Sequence, residues 1–120
     1  MREFEIVFYE KTDGTEPAKD FIESLDNKMK ARLIRVIELL SEYGTVLREP
    51  YSKHLTDGIF EVRAQQGSDI SRVLYFFVIG KRIVLTNGFI KKTQKTPTRE
   101  IELAKKYRND FLDREDEHND

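Results

Sequence analysis

The chain has 120 residues, no cysteine and a formal net charge of -1, with 38% hydrophobic and 36% charged residues. That length carries one domain around a modest single core, and the absence of cysteine excludes a disulfide framework, a thiolate zinc site and a cysteine nucleophile. No apolar run approaches the roughly 20 residues of a membrane helix, and residues 1–7 alternate charged and apolar side chains; they do not form the apolar heart of a signal peptide. A soluble, cytoplasmic protein in a reducing compartment is expected.

Residues 3–9 (Glu-Phe-Glu-Ile-Val-Phe-Tyr) alternate and are rich in aromatic and β-branched types, which predicts a first strand. Asp13-Gly14 signals a turn. Thr15-Glu16-Pro17 opens a helix, with Pro17 in its first turn and Ala18, Phe21, Ile22 and Leu25 on one face. Asp26 is a natural N-cap for a second helix. Met29, Leu33, Val36, Ile37, Leu40 and Tyr43 form its apolar stripe, and Gly44 stops it. Such stripes are core, so the pair is expected to lie on a sheet as a helical hairpin.

From Ile59 the period changes to two. Strands are expected at 59–64, 70–79 and 82–90. Residues 65–69 form a loop, and Gly80-Lys81 a two-residue turn of the type II′ kind. Pro97 opens a last helix, with Ile101, Ala104, Tyr107, Phe111 and Leu112 as its stripe. The order β-α-α-β-β-β-α, with an antiparallel meander, is an α+β fold. Residues 1–112 form the single domain, and the acidic residues 113–120 are expected to be a disordered tail.

Charge is segregated along the chain. Residues 51–109 carry 12 Lys/Arg against 5 Asp/Glu; residues 1–50 carry 8 against 11, and residues 110–120 carry 1 against 6. A basic segment in a near-neutral chain suggests a local anionic partner; the plainer alternative is a solvated face. Strand alternation makes the first reading concrete. A loop centred near Gly67 sets Arg63 opposite Arg72. The Gly80-Lys81 turn, pairing Ile79 with Arg82, sets Arg72 opposite Phe89. One face then presents Glu61, Arg63, Arg72 and Lys91, with Lys92 and Lys95 at its rim. Facing arginines repel and lower stability; a chain tolerates such a conflict where a site needs it. Alternatively, each arginine pairs with Glu61 or Asp69 as a surface salt bridge of small worth.

Guanidinium and ammonium groups donate and never accept, which suits phosphate. They also stabilise the charge that builds on a pentacovalent phosphate. RNA brings its own nucleophile, the 2′-hydroxyl. An enzyme that uses it needs no metal and no cofactor, only alignment, proton transfer and charge stabilisation. A lysine among other cations can serve as acid or base. No His or carboxylate cluster has metal-ligand spacing. His54 is either an acid–base group or a structural histidine, and the serines and isolated glycines match no nucleophile or phosphate-loop motif.

Several stretches resemble a known family. Lys53-His54-Leu55-Thr56-Asp57-Gly58-Ile59-Phe60-Glu61-Val62-Arg63 resembles the strand motif of the RelE/ParE toxin superfamily, and Arg72-Val73-Leu74-Tyr75-Phe76 its next strand. Gly88-Phe89-Ile90-Lys91-Lys92-Thr93-Gln94-Lys95-Thr96-Pro97 resembles the signature of the phage-derived, HigB-like branch, and Glu100-Ile101-Glu102-Leu103-Ala104 the start of its last helix. The resemblance spans residues 3–112. It implies the toxin of a type II toxin–antitoxin module, a ribosome-dependent mRNA endonuclease working through the 2′-hydroxyl. By the same resemblance, Arg63, Arg72 and Lys91 are catalytic, and Lys53, His54, Lys92 and Lys95 bind RNA. Some ribonuclease relatives use a histidine or tyrosine near the C-terminus; this chain is acidic there, which leaves the general base unassigned. The implied partner is a helix-turn-helix, HigA-like antitoxin, with operator DNA bound only through the complex. Two alternatives stay open: a ParE-like inhibitor of DNA gyrase, and a non-catalytic binding module such as an inactive toxin paired with a repressor.

Overall fold

The structure is a computed structural model that describes residues 3–118. Strand β1 (Glu5–Phe8) leads into helices α1 (Pro17–Ser24) and α2 (Asn27–Tyr43), then a short 3-10 turn (Gly44–Val46). Four strands follow, β2 (Ser52–Thr56), β3 (Ile59–Gln66), β4 (Asp69–Val78) and β5 (Arg82–Lys91), before helix α3 (Thr98–His118). The five strands form one sheet in the order β1-β5-β4-β3-β2. β1 runs parallel to β5, and the other pairs are antiparallel. The α+β class and the helical hairpin read from the sequence are both present.

The period-two strands divide their side chains between two cores. On one face Val62, Ala64, Val73 and Tyr75 meet the α1–α2 stripe, including Leu33 and Leu40, both fully buried. On the other face Ile59, Leu74, Phe76 and Val84 meet Ala104, Tyr107 and Phe111 of α3. Asp26 caps α2 as expected, its side chain accepting the Met29 N–H at 2.9 Å. Gly88 is required by packing: a Cβ there would stand 2.3 Å from the Phe21 ring and 2.8 Å from the Arg72 carbonyl.

Three features differ from the sequence reading. Strand β2 was not expected, because residues 52–56 lack clean apolar alternation. It pairs with β3 through an Asp57-Gly58 turn whose two positive φ angles, 49° and 75°, are those of a type I′ hairpin. Second, the β4–β5 turn pairs Val78 with Arg82, not Ile79 with Arg82. A bulge between Val73 and Tyr75 then restores the register, so Arg72 still stands opposite Phe89.

Third, the expected disordered tail is helical through His118; Asn119 and Asp120 lie outside the described residues. Two contacts hold the helix end against the body of the fold: Arg82 pairs with Glu115 at 2.8 Å, and Arg114 donates to the Glu10 carbonyl while pairing within the helix with Asp110 at 2.6 Å. The Tyr9 hydroxyl also donates to Asp110 at 2.7 Å. Among the described residues no helix is long and apolar enough to cross a membrane.

The tyrosines that lock the two cores should titrate late. Burial first, then the Asp110 carboxylate, push the Tyr9 hydroxyl up to about 12. Burial does the same for Tyr75, against the opposing effect of its 2.5 Å hydrogen bond with Ser52. A hydroxyl whose pKa rises on folding adds stability below its unfolded value of 10.0 and loses it as pH passes the folded value. Denaturant unfolding should therefore show stability falling between pH 10.0 and about 12. Tyr9→Phe/Tyr75→Phe should flatten that fall, and identical slopes would contradict the account.

Candidate anion-binding site at the end of the sheet

Gln66 pairs with Asp69 across a two-residue turn, and this register sets Arg63 directly opposite Arg72. Opposed residues of an antiparallel pair share a face, so two like charges meet. Glu61, two residues before Arg63, points the same way. Its carboxylate lies between them: one oxygen accepts from Arg63 Nε, and the other is 3.9 Å from Arg72 Nε. Thr96 Oγ1 donates to that second oxygen at 2.5 Å. Glu61 and Arg72 are both fully buried. The surface salt bridges weighed from sequence are instead a buried Arg–Glu–Arg cluster.

Residues 92–96 lie over this cluster as a strap. Arg72 Nη2 donates to the Thr93 carbonyl. Arg63 donates to Gln94 twice, to Oε1 at 2.8 Å and to the carbonyl at 2.5 Å. The Arg72 guanidinium also sits 5.3 Å from the Phe89 ring centre, a cation–π distance. Its Nε and Nη1 have no hydrogen-bond partner among the described residues. Burial, and then the neighbouring Arg63, lower the Arg72 pKa, and Glu61 opposes them.

The other predicted residues divide. Lys53 stands opposite Glu61 and so on the cluster's face; it is exposed. Lys91 stands opposite Ile70, two positions along from Phe89. Lys53, Lys91 and Lys95 are exposed, with no hydrogen bond or ion pair among the described residues. Lys92 reaches back to the β3–β4 turn, 3.2 Å from Asp69 and 3.2 Å from Ser68 Oγ.

Two placements differ from the exposed basic face expected from the sequence. His54 stands opposite Phe60, on the face that packs against α1 and α2, with its ring edge-on to Phe60 at 4.9 Å. Its Nε2 accepts the Gly58 N–H at 3.4 Å, and the exposed ring lies on the face opposite the Glu61 cluster. Arg72 shares the group but has no exposed surface beneath the strap. A direct phosphate contact by Arg72 requires the strap to move.

Sequence reasoning missed a groove of about 810 Å³ running from Arg63 and Gln94 to Arg32 and Arg35 of α2, past Tyr51. The Asp57-Gly58 turn was the available signal. It places β2, and with it the pairing that brings Tyr51 beside Arg63. Among the described residues no group of three or more His, Cys, Asp or Glu is placed to hold a metal ion. The site's chemistry is that of a cationic surface with donors in excess of acceptors, suited to phosphate.

The cluster makes a stability prediction. Glu61→Gln keeps the shape but leaves a buried guanidinium without its counter-charge, which should cost about 3–5 kcal/mol. Urea unfolding reads this directly. Glu61→Gln/Arg72→Met, which removes the stranded charge, should recover part of the loss. A Glu61→Gln penalty below about 1 kcal/mol would place the interaction among weak surface pairs.

Residues 20–109, well over half of the chain, match the family described as "Phage derived protein Gp49-like (DUF891)". No curated protein was found to match the chain.

Proposed function

We propose that this chain, which belongs to the Gp49-like phage-derived family, is the toxin of a type II toxin–antitoxin pair and a ribosome-dependent mRNA endonuclease. We place it in the HigB-like branch of the RelE/ParE superfamily. One observation supports this most: partly exposed Arg63 and unpartnered Lys53, Lys91 and Lys95 at the end of the sheet where a buried cluster anchors the strap.

In this reading the substrate supplies the nucleophile. The 2′-hydroxyl attacks the adjacent phosphorus as the bond to the 5′-oxygen breaks, giving a 2′,3′-cyclic phosphate and a free 5′-hydroxyl. Arg63 neutralises the phosphate, where charge builds in the transition state. Lys91 is the proton-transfer group of this scheme, exposed and unpartnered. Lys53, Lys92 and Lys95 hold the RNA backbone. Arg72 acts from below as a positioning residue, fixing Glu61 and the strap. A helix-turn-helix, HigA-like antitoxin covers this basic end, and DNA is contacted only through the complex. The site of action is the cytoplasm.

The test is induction of the toxin followed by mapping of message ends on ribosomes. Cuts should appear in translated message, and Lys91→Ala should reduce cleavage about 10²–10³-fold, the effect of removing one transition-state donor. Lys91 has no partner to strand, so thermal unfolding should be unchanged. Arg63→Ala should lose cleavage as well, with lower stability because Glu61 loses its nearer counter-charge. Intact message with DNA damage, or full toxicity in both variants, would overturn the reading.

A further inference from the structure

We propose that the groove between α2 and the exposed end of β3 is a subsite for one nucleotide of single-stranded RNA, with its base on Tyr51 and its phosphate between Arg35 and Lys53. The substrate class rests on the nuclease reading; the groove's own geometry carries the rest.

The β2–β3 ladder stops at the mouth of this groove. Its last bond runs from the Arg63 N–H to the Tyr51 carbonyl at 2.9 Å. This sets Tyr51 directly beside Arg63, at the edge of the buried cluster. Beyond that bond residues 63–65 have no β2 neighbour, and Arg32 donates to the free Gln65 carbonyl at 2.8 Å. The opening so formed holds about 810 Å³, within the roughly 300–1,000 Å³ usual for ligand sites.

The lining is chemically asymmetric. Arg32, Arg35, Lys53 and Arg63 face one carboxylate, Glu49. Arg32 and Arg63 are committed to protein partners, but Arg35 and Lys53 have none among the described residues. Both are exposed. The floor is apolar, and Tyr51 is 44% exposed although it lines a concave surface. An open aromatic ring beside unpaired cations is what a base and its phosphate need: the ring takes the base by stacking, and the cations take the phosphate. An acidic peptide would use the charges and leave the ring idle. The groove begins at Arg63, so an RNA strand whose scissile phosphate lies there has its neighbouring nucleotide at the groove.

The probe is hexa-adenylate with 2′-O-methyl groups throughout, which lacks the nucleophile and cannot be cut. Its binding to the full chain is read by fluorescence anisotropy. Saturable binding is expected, weakened about five- to twentyfold by Tyr51→Ala and by Arg35→Ala, and retained by Tyr51→Phe. Unchanged thermal unfolding shows that the variants are folded, since both side chains are exposed. No saturable binding by the wild type, or equal binding by Tyr51→Ala, would overturn the subsite. Displacement of the probe by deca-glutamate at equal concentration would also overturn it, in favour of an acidic protein partner. Failure here is distinct from failure of the nuclease reading. Message cut normally by Tyr51→Ala, with probe binding unchanged, removes the subsite alone. Probe binding as expected, with message left intact, removes the nuclease and keeps the groove.

Discussion

A single carboxylate holds two arginines together at the end of the sheet. Antiparallel register forces Arg63 and Arg72 to face each other, and side-chain alternation delivers Glu61 to the same face. With Arg72 and Glu61 fully buried, water cannot screen the repulsion. A buried ion pair stabilises a fold little when compared with an apolar replacement, yet removing one partner is severe. The consequence here is geometric. Arg63, Arg72 and Glu61 all spend hydrogen bonds on residues 93–96, so a segment with no secondary structure of its own acquires one position. The exposed Lys95 is carried by that segment, and Lys91 stands at its root.

Much of this was legible in the sequence, for identifiable reasons. Period-two alternation from Ile59 onward put Glu61 and Arg63 on one face, and Gly67 marked the turn that sets Arg72 against Arg63. The pairing of Arg72 with Phe89 was also expected, but from a different turn. The hairpin closes through a three-residue loop, one residue longer than expected, and the bulge opposite Leu74 compensates. A bulge leaves no sharp mark on hydrophobic pattern, so only its net result was readable. What was not legible was depth. Alternation tells which face a side chain takes, not whether a loop will fold over it, and so Arg72 read as a surface group.

Other misses have similar causes. Strand β2 is short and polar, and its evidence lay in the Asp57-Gly58 turn and not in its own residues. Without β2, His54 could not be assigned a face, and Tyr51 could not be placed beside Arg63. Arg32 and Arg35 read as the ordinary solvated side of α2, because an amphipathic helix always has one. The acidic tail read as disordered from its charge, but Arg82 pairs with Glu115 and the Glu10 carbonyl accepts from Arg114, partners that only the tertiary fold brings near.

The most direct test of this account is the mobility of the strap itself. Backbone ¹⁵N relaxation should give Gln94 and Thr96 order parameters of about 0.85 in the wild type, like the strand before them. In Glu61→Gln the same two amides should fall toward about 0.6 or below while the strands keep theirs. A strap equally mobile in both proteins, or equally rigid in both, would show that the Glu61 carboxylate does not hold it.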